Sequence, residues 1–154
     1  MELILWRHAD AEDLGANGDL SRQLTRKGHK QASAMAEWLR PRLEGEWRVL
    51  CSPAARALQT AVTLDMDIIV RPKLAPEGSA ADLLREAGWP DGRNVVIVGH
   101  QPTLGEVAAE LLGGRHGEVA VRKGSIWWFA TRERDGALET VLKATVDPGM
   151  VKAA

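Results

Sequence analysis

Residues 94–114, NVVIVGHQPTLGEVAAELLGG, pass from a strand through one turn into a helix. Val95 to Val98 is an unbroken β-branched run of strand length, closed by Gly99-His100. From Thr103 to about Leu112 the apolar residues recur at helical spacing, and Gly113-Gly114 stops the pattern. A strand buried on both faces and followed at once by a helix is the building unit of a parallel α/β sheet.

The chain on either side repeats this unit. Leu3–Arg7 is a short apolar run ending at Arg7-His8, and it reads as a buried first strand. A polar loop follows from Ala9 to about Gln23, with GANGD its most turn-like part. Thr25 is placed as the N-cap of a helix over Arg26–Leu43, with Ala32, Met35, Ala36 and Leu39 on one face. Arg48–Cys51 reads as a second strand. Ser52-Pro53 then supplies an N-cap and a first-position proline for a helix running to about Asp65. Ile68–Val70 is expected as a third strand, Pro72–Gly78 as a loop, and Ala80–Ala87 as a helix closed by Gly88. Strands are expected at Val119–Arg122, Ser125–Thr131 and Leu138–Thr145, the last two joined by a hairpin turn at Asp135-Gly136. This alternation predicts a three-layer α/β/α sandwich with a mostly parallel mixed sheet, formed by residues 1–154 as one domain.

Composition narrows the class. Hydrophobic residues make up 45% of the chain and charged residues 27%, the balance of a soluble globular protein. A net charge of −1 gives no electrostatic argument for a nucleic-acid or membrane partner. Cys51 is the single cysteine, so no intrachain disulfide forms, which fits a reducing cytoplasm. The apolar run Leu3–Trp6 is too short for a signal-peptide core or a membrane span. Six tryptophans and no tyrosine are assigned to packing.

Chemistry concentrates just past the C-terminal ends of three strands: Arg7-His8, Ser52 to Arg56, and Gly99-His100. In open α/β sheets that edge binds ligands, so two arginines and two histidines are expected to converge on one crevice. Guanidinium groups present planar forks of donors that match phosphate oxygens. Arg56 is expected in the first turn of its helix, whose positive end also favours an anion. A histidine with its ordinary pKa of about 6.5 is largely unprotonated at neutral pH and is a competent nucleophile toward phosphorus. A second histidine, when protonated, adds a positive donor for the equatorial oxygens. Taken singly, each of the four reads as readily as a surface or turn residue; it is their joint placement that points to a phosphoryl site.

The same residues carry a resemblance. Leu3 to Ala11, LILWRHADA, resembles the RHG-type opening of the histidine phosphatase superfamily, with Ala9 in place of the motif's glycine. Leu24-Thr25-Arg26-Lys27-Gly28 with Gln31-Ala32 is similar to its LTxxGxxQA helix start. Ser52 to Ala61, SPAARALQTA, is similar to its SPxxRAxQTA segment, and Val98-Gly99-His100-Gln101-Pro102 to its second-histidine segment. Within the superfamily, the short chain and Leu74-Ala75-Pro76-Glu77-Gly78 resemble the SixA-type phosphohistidine phosphatases. The resemblance implies a phosphoglycerate-mutase-like fold, His8 as nucleophile, a phosphate pocket of Arg7, Arg56 and His100, and no cofactor or metal. It also implies a phosphorylated protein, or a small phosphorylated molecule, as substrate.

A leaving alkoxide needs a proton donor, a leaving imidazole far less so. Glu77 and Asp19 are the candidate donors, each also readable as a solvated loop carboxylate, and the resemblance implies that the SixA-type subgroup lacks this acid. Asp10 is read as a structural loop acid. Arg22 matches an arginine common in the subgroup and is a candidate for widening the phosphate pocket. His29, His116, Glu106, Glu110 and Cys51 are read as structural or solvated. His8 and His100 are not expected to share a metal, because two neighbouring arginines would repel it. We expect a cytoplasmic monomer or weak dimer that hydrolyses phosphohistidine on a protein. Hydrolysis of a small phosphorylated metabolite is one alternative and a non-catalytic phosphate-binding module another; a mutase is disfavoured because the chain is too short to enclose its pocket.

Overall fold

The structure is a computed structural model and describes residues 1–114 and 117–151; His116 lies outside the described residues. The strands are β1 (Glu2–Arg7), β2 (Arg48–Cys51), β3 (Ile68–Val70), β4 (Val95–Gly99), β5 (Ile126–Arg134) and β6 (Ala137–Val146). They form one sheet in the order β3-β2-β4-β1-β5-β6. The pairs β3–β2, β2–β4 and β4–β1 are parallel, while β5 runs antiparallel to β1 and β6 antiparallel to β5. The helices are α1 (Arg26–Leu39), α2 (Ala55–Ala61), α3 (Ala80–Ala87) and α4 (Thr103–Leu111).

Alternation along the strands sorts the core into two layers. Ile4, Trp6, Val49, Cys51, Val96 and Val98 face one way and pack with Met35 and Leu39 of α1 and Ala57 and Ala61 of α2. Leu3, Leu5, Leu50, Val95 and Ile97 face the other way and pack with Leu83 and Ala87 of α3 and Leu104 and Val107 of α4. This is the three-layer α/β/α sandwich expected from the sequence. Each fully buried aliphatic side chain contributes about 1.5–3 kcal/mol, so β1 and β4, buried at nearly every residue, anchor the fold. The tryptophans do pack: Trp6 is fully buried, and Trp38 and Trp47 meet Trp128 edge-on.

Register fixes where the site lies. Arg7 stands opposite Gly99 across the β1–β4 pair, and Cys51 opposite Val98 across β2–β4. The ladder continues one step beyond, with His8 N donating to Gly99 O and Ser52 N to Val98 O, both at 3.1 Å. His8, Ser52 and His100 therefore leave the sheet side by side.

Three expectations are corrected. Residues 119–122 form no strand, because their backbone serves other partners: Val119 N donates to Gly105 O, and the Val121 carbonyl accepts from Arg7. Residues 53–54 are not helical; Ala54 is extended and α2 begins at Ala55. Its α-helical hydrogen bonding ends at Ala61, with a tighter turn at Val62–Leu64 before Asp65 turns left-handed. The first long helix stops at Leu39, and Pro41 lies in a separate tight turn at Arg40–Arg42. The hairpin turn is as expected, with φ of 51° at Asp135 and 81° at Gly136.

Candidate active site

His8 leaves the end of β1 and points its Nδ1 at its neighbour's carbonyl, Ala9 O, at 2.7 Å. Nδ1 therefore carries the proton and Nε2 the lone pair. The ring is 5% exposed. Burial, opposed by the hydrogen bond to Ala9, and the charges of Arg56, Arg7 and Arg22 bring its pKa down to about 4. His8 is thus neutral at physiological pH.

His100 faces it, with ring centroids 5.2 Å apart and planes tilted by 52°. Burial, the neighbouring His8 and the Arg56 charge bring the His100 pKa down to about 3. The second histidine is therefore neutral rather than cationic at physiological pH. Its Nε2 lies 2.7 Å from Ser52 Oγ, and its Nδ1 is buried with no partner among the described residues.

The arginines repeat this pattern of one atom bonded and one without a partner. Arg7 Nη1 donates to Val121 O at 2.9 Å, while its Nε is buried with no partner among the described residues. Arg56, 3% exposed, gives Nη1 to the Asp19 carbonyl at 2.8 Å and Nη2 to the Asp19 carboxylate at 3.1 Å; its Nε is also buried with no partner among the described residues. Buried polar atoms without partners are costly; of the five among the described residues, three lie on Arg7, Arg56 and His100, and the Arg56 charge acts on both of the others. Such a group of donors suits an anion with several oxygens.

Asp19 also pairs with Arg22 at 3.2 Å, and Arg22 Nε donates to the Glu12 carbonyl. Partial burial works against the Asp19 carboxylate, but hydrogen bonds from Arg22 and Arg56 outweigh it and its pKa is lowered. Asp19 is therefore an ionised carboxylate and is unsuited to donate a proton. Glu77 is exposed and makes no hydrogen bond or ion pair among the described residues. The adjacent Gly78 carbonyl accepts from Thr103 Oγ1 at the start of α4, which keeps this loop on the His100 side of the sheet edge. Asp10 is the structural acid expected, bonded to Thr25 and Lys123.

Sequence and structure comparisons identify the family. Residues 3–76 match the family model of the histidine phosphatase superfamily (branch 1). The phosphohistidine phosphatase SixA homolog of Haemophilus influenzae is 33% identical over 135 residues, covering 75% of this chain and 80% of that protein. The chain belongs to the histidine phosphatase superfamily and is of the SixA type. Phosphohistidine phosphatase SixA of Escherichia coli is 33% identical over 123 residues, covering 74% and 76% of the two chains. A solved structure of the protein histidine phosphatase SixA complexed with tungstate is 28% identical, with a TM-score of 0.77 over 97% of this chain and 98% of that one. As a member of this family the chain is a hydrolytic phosphatase.

The structure gives the SixA-type motifs physical roles beyond the four residues singled out in the sequence. Thr60 Oγ1 accepts from Ala9 N at 3.1 Å and donates to Arg56 O at 2.8 Å, bracing the His8 loop on α2. Gln31 Oε1 accepts from Asp10 N, and Gln59 Oε1 from Leu24 N. Gly28 lets α1 pass close to the Asp10 carbonyl, where a Cβ would lie 1.9 Å from that oxygen. Ser52, expected as a helix cap, instead accepts from Ala54 N at 3.1 Å and meets His100. The sequence carries no local sign of these roles, because the long-range partner of each lies 18 to 51 residues away.

Proposed function

We propose that this enzyme hydrolyses phosphohistidine on a protein, with His8 as nucleophile and Arg7, Arg56 and His100 as the phosphate pocket. The observation that carries the reading is the arrangement of the pocket: a neutral His8 with its lone pair on Nε2, beside buried unpartnered atoms of Arg7, Arg56 and His100. The phosphoryl oxygens meet the Arg7 and Arg56 guanidinium groups and the His100 ring. His8 Nε2 attacks phosphorus and forms a P–N bond while the substrate's own P–N bond breaks. The electron pair of that bond returns to the leaving imidazole, which takes up a proton from solvent. Water then attacks the phosphoenzyme, releasing inorganic phosphate and restoring His8.

The choice of a P–N bond follows from the carboxylates. Asp19 is held ionised, and Glu77 is exposed with no partner among the described residues, so neither is poised as a proton donor for an alkoxide. Arg22 stands beside His8 through its charge and orients Asp19. The phosphohistidine phosphatase activity named for the relatives supports the same class of bond. The test compares a phosphohistidine protein with sugar and nucleotide phosphates in the wild type and in His8→Ala. Preference for the phosphoprotein is expected, with an acid-labile phosphoenzyme in wild type and turnover at least ~10³-fold lower in the variant. Preference for the small phosphates would reverse the substrate class. A wild type with no phosphoenzyme would remove His8 from its role.

A further inference from the structure

We propose that Ser52 is a positioning residue that fixes the tautomer of His100, so that the second histidine offers a donor to the phosphoryl group while remaining neutral. This rests on the pocket being a phosphoryl site and adds to it a group not otherwise assigned a part in the chemistry.

The argument is an accounting of protons. Ser52 is fully buried, and its hydroxyl oxygen already accepts from Ala54 N at 3.1 Å. The hydroxyl has one proton of its own to place, and its other partner among the described residues is His100 Nε2, at 2.7 Å. Were Nε2 protonated, it would donate to Ser52, the hydroxyl proton would be left without an acceptor, and the Nδ1 lone pair would be turned on the oxygens of an incoming phosphate. When Ser52 donates to Nε2, every atom of the contact is satisfied and the ring proton sits on Nδ1. That nitrogen is the buried atom with no partner, on the ring that faces His8 at 5.2 Å. A buried N–H without an acceptor is disfavoured until a ligand oxygen arrives, so its cost is relieved on binding.

The arrangement mirrors that of His8. There a backbone carbonyl accepts from Nδ1 and leaves Nε2 as the nucleophilic lone pair. At His100 a hydroxyl donates to Nε2 and leaves Nδ1–H as the electrophilic donor. Two neutral imidazoles in one pocket thus take opposite tautomers and opposite tasks, each set by the group bonded to its far nitrogen. Backbone geometry holds Ser52 in place, since its amide extends the β2–β4 ladder to Val98 O and Pro53 follows directly.

Nitrogen NMR of histidine-labelled wild type tests this directly, with the His100 signals assigned by their loss in His100→Gln. The expected spectrum has Nδ1 protonated and Nε2 bare, both in the free enzyme and with tungstate bound. Protonation at Nε2 in the free enzyme, or a doubly protonated ring in the tungstate complex, would overturn the proposal. Ser52→Ala is expected to mix the two tautomers and weaken tungstate binding roughly tenfold, with Ser52→Thr, which keeps the hydroxyl, recovering the Nδ1–H form. An alanine variant with unchanged ring signals and affinity would also overturn it. Because the tautomer is read without turnover, an enzyme that rejects phosphohistidine but keeps this ring state would refute the substrate assignment and leave the role of Ser52 intact.

Discussion

At the scale of single residues, the pocket is built by tying part of each functional group to a fixed acceptor. Ala9 O holds His8 Nδ1, Val121 O holds Arg7 Nη1, and Asp19 holds both terminal nitrogens of Arg56. Each tether removes rotamer freedom before substrate arrives, which is how positioning lowers a barrier. The electrostatic consequence is sharpest at His8. Protonation would place a fourth cation beside Arg7, Arg56 and Arg22, inside a site that already excludes water. Activity is therefore expected to persist as pH falls through 6.5, where an ordinary histidine would lose its lone pair, and to decline only toward pH 4. The measurement is kcat/KM against pH, corrected for the separately determined ionisation of the substrate. An acid limb near 6.5 that survives this correction would contradict a neutral, desolvated nucleophile.

At the scale of elements, what the sequence displays are the parts whose signals are local. The β4 run with Gly99-His100, the Thr25 cap and the Asp135-Gly136 turn are each written in a few adjacent residues, and each was legible. Three residues of the proposed pocket, Arg7, His8 and His100, sit at or just past the end of an apolar strand pattern, and Arg56 sits in the first turn of the helix after β2, so their placement is also a local signal. The strand expected at Val119–Arg122 failed because alternating valines signal a half-buried extended segment, not its partner. Val121 is indeed buried, but its carbonyl bonds to Arg7, 114 residues away. Ser52-Pro53 misled in the same way, since its cap-like chemistry is used by Ala54 and His100 ahead of α2. The pairing of Asp19 with Arg56 spans 37 residues and has no local signal at all. Close approach of two elements is equally silent, and Gly28 shows its cost. A methyl there would collide with the Asp10 carbonyl, which also receives the Thr25 amide and stands two residues from His8. Gly28→Ala is expected to destabilise the fold by about 1–3 kcal/mol in urea unfolding and to lower kcat/KM by displacing the His8 loop. An unchanged midpoint would mean that α1 can shift outward without disturbing the loop.

At the scale of the molecule, a net charge of −1 conceals a strongly uneven distribution, with Arg7, Arg22 and Arg56 gathered at one sheet edge around two buried histidines. The fold tolerates this gathering by keeping both imidazoles uncharged, and that couples stability to pH. In the unfolded chain each histidine takes up its proton near pH 6.5, whereas in the fold His8 and His100 do so only near 4 and 3. Between those limits the unfolded state binds more protons, so stability falls as pH falls. The contribution is whole above pH 6.5 and is lost progressively below it. For His8 alone the loss by pH 4 is on the order of 3 kcal/mol, a large share of the 5–15 kcal/mol typical of a domain. Urea unfolding of wild type from pH 7.5 down to 4.5 is therefore expected to show a steeper decline than that of a His8→Gln, His100→Gln double variant, whose slope retains only the remaining groups. Saturating tungstate should raise wild-type stability across this range, because an anion that binds only the folded pocket stabilises the fold by mass action, by about 2.7 kcal/mol at a hundredfold excess over Kd. Parallel slopes in the two proteins would show that the histidines titrate alike in the folded and unfolded chains, and the pocket would then have to be hydrated rather than desolvated.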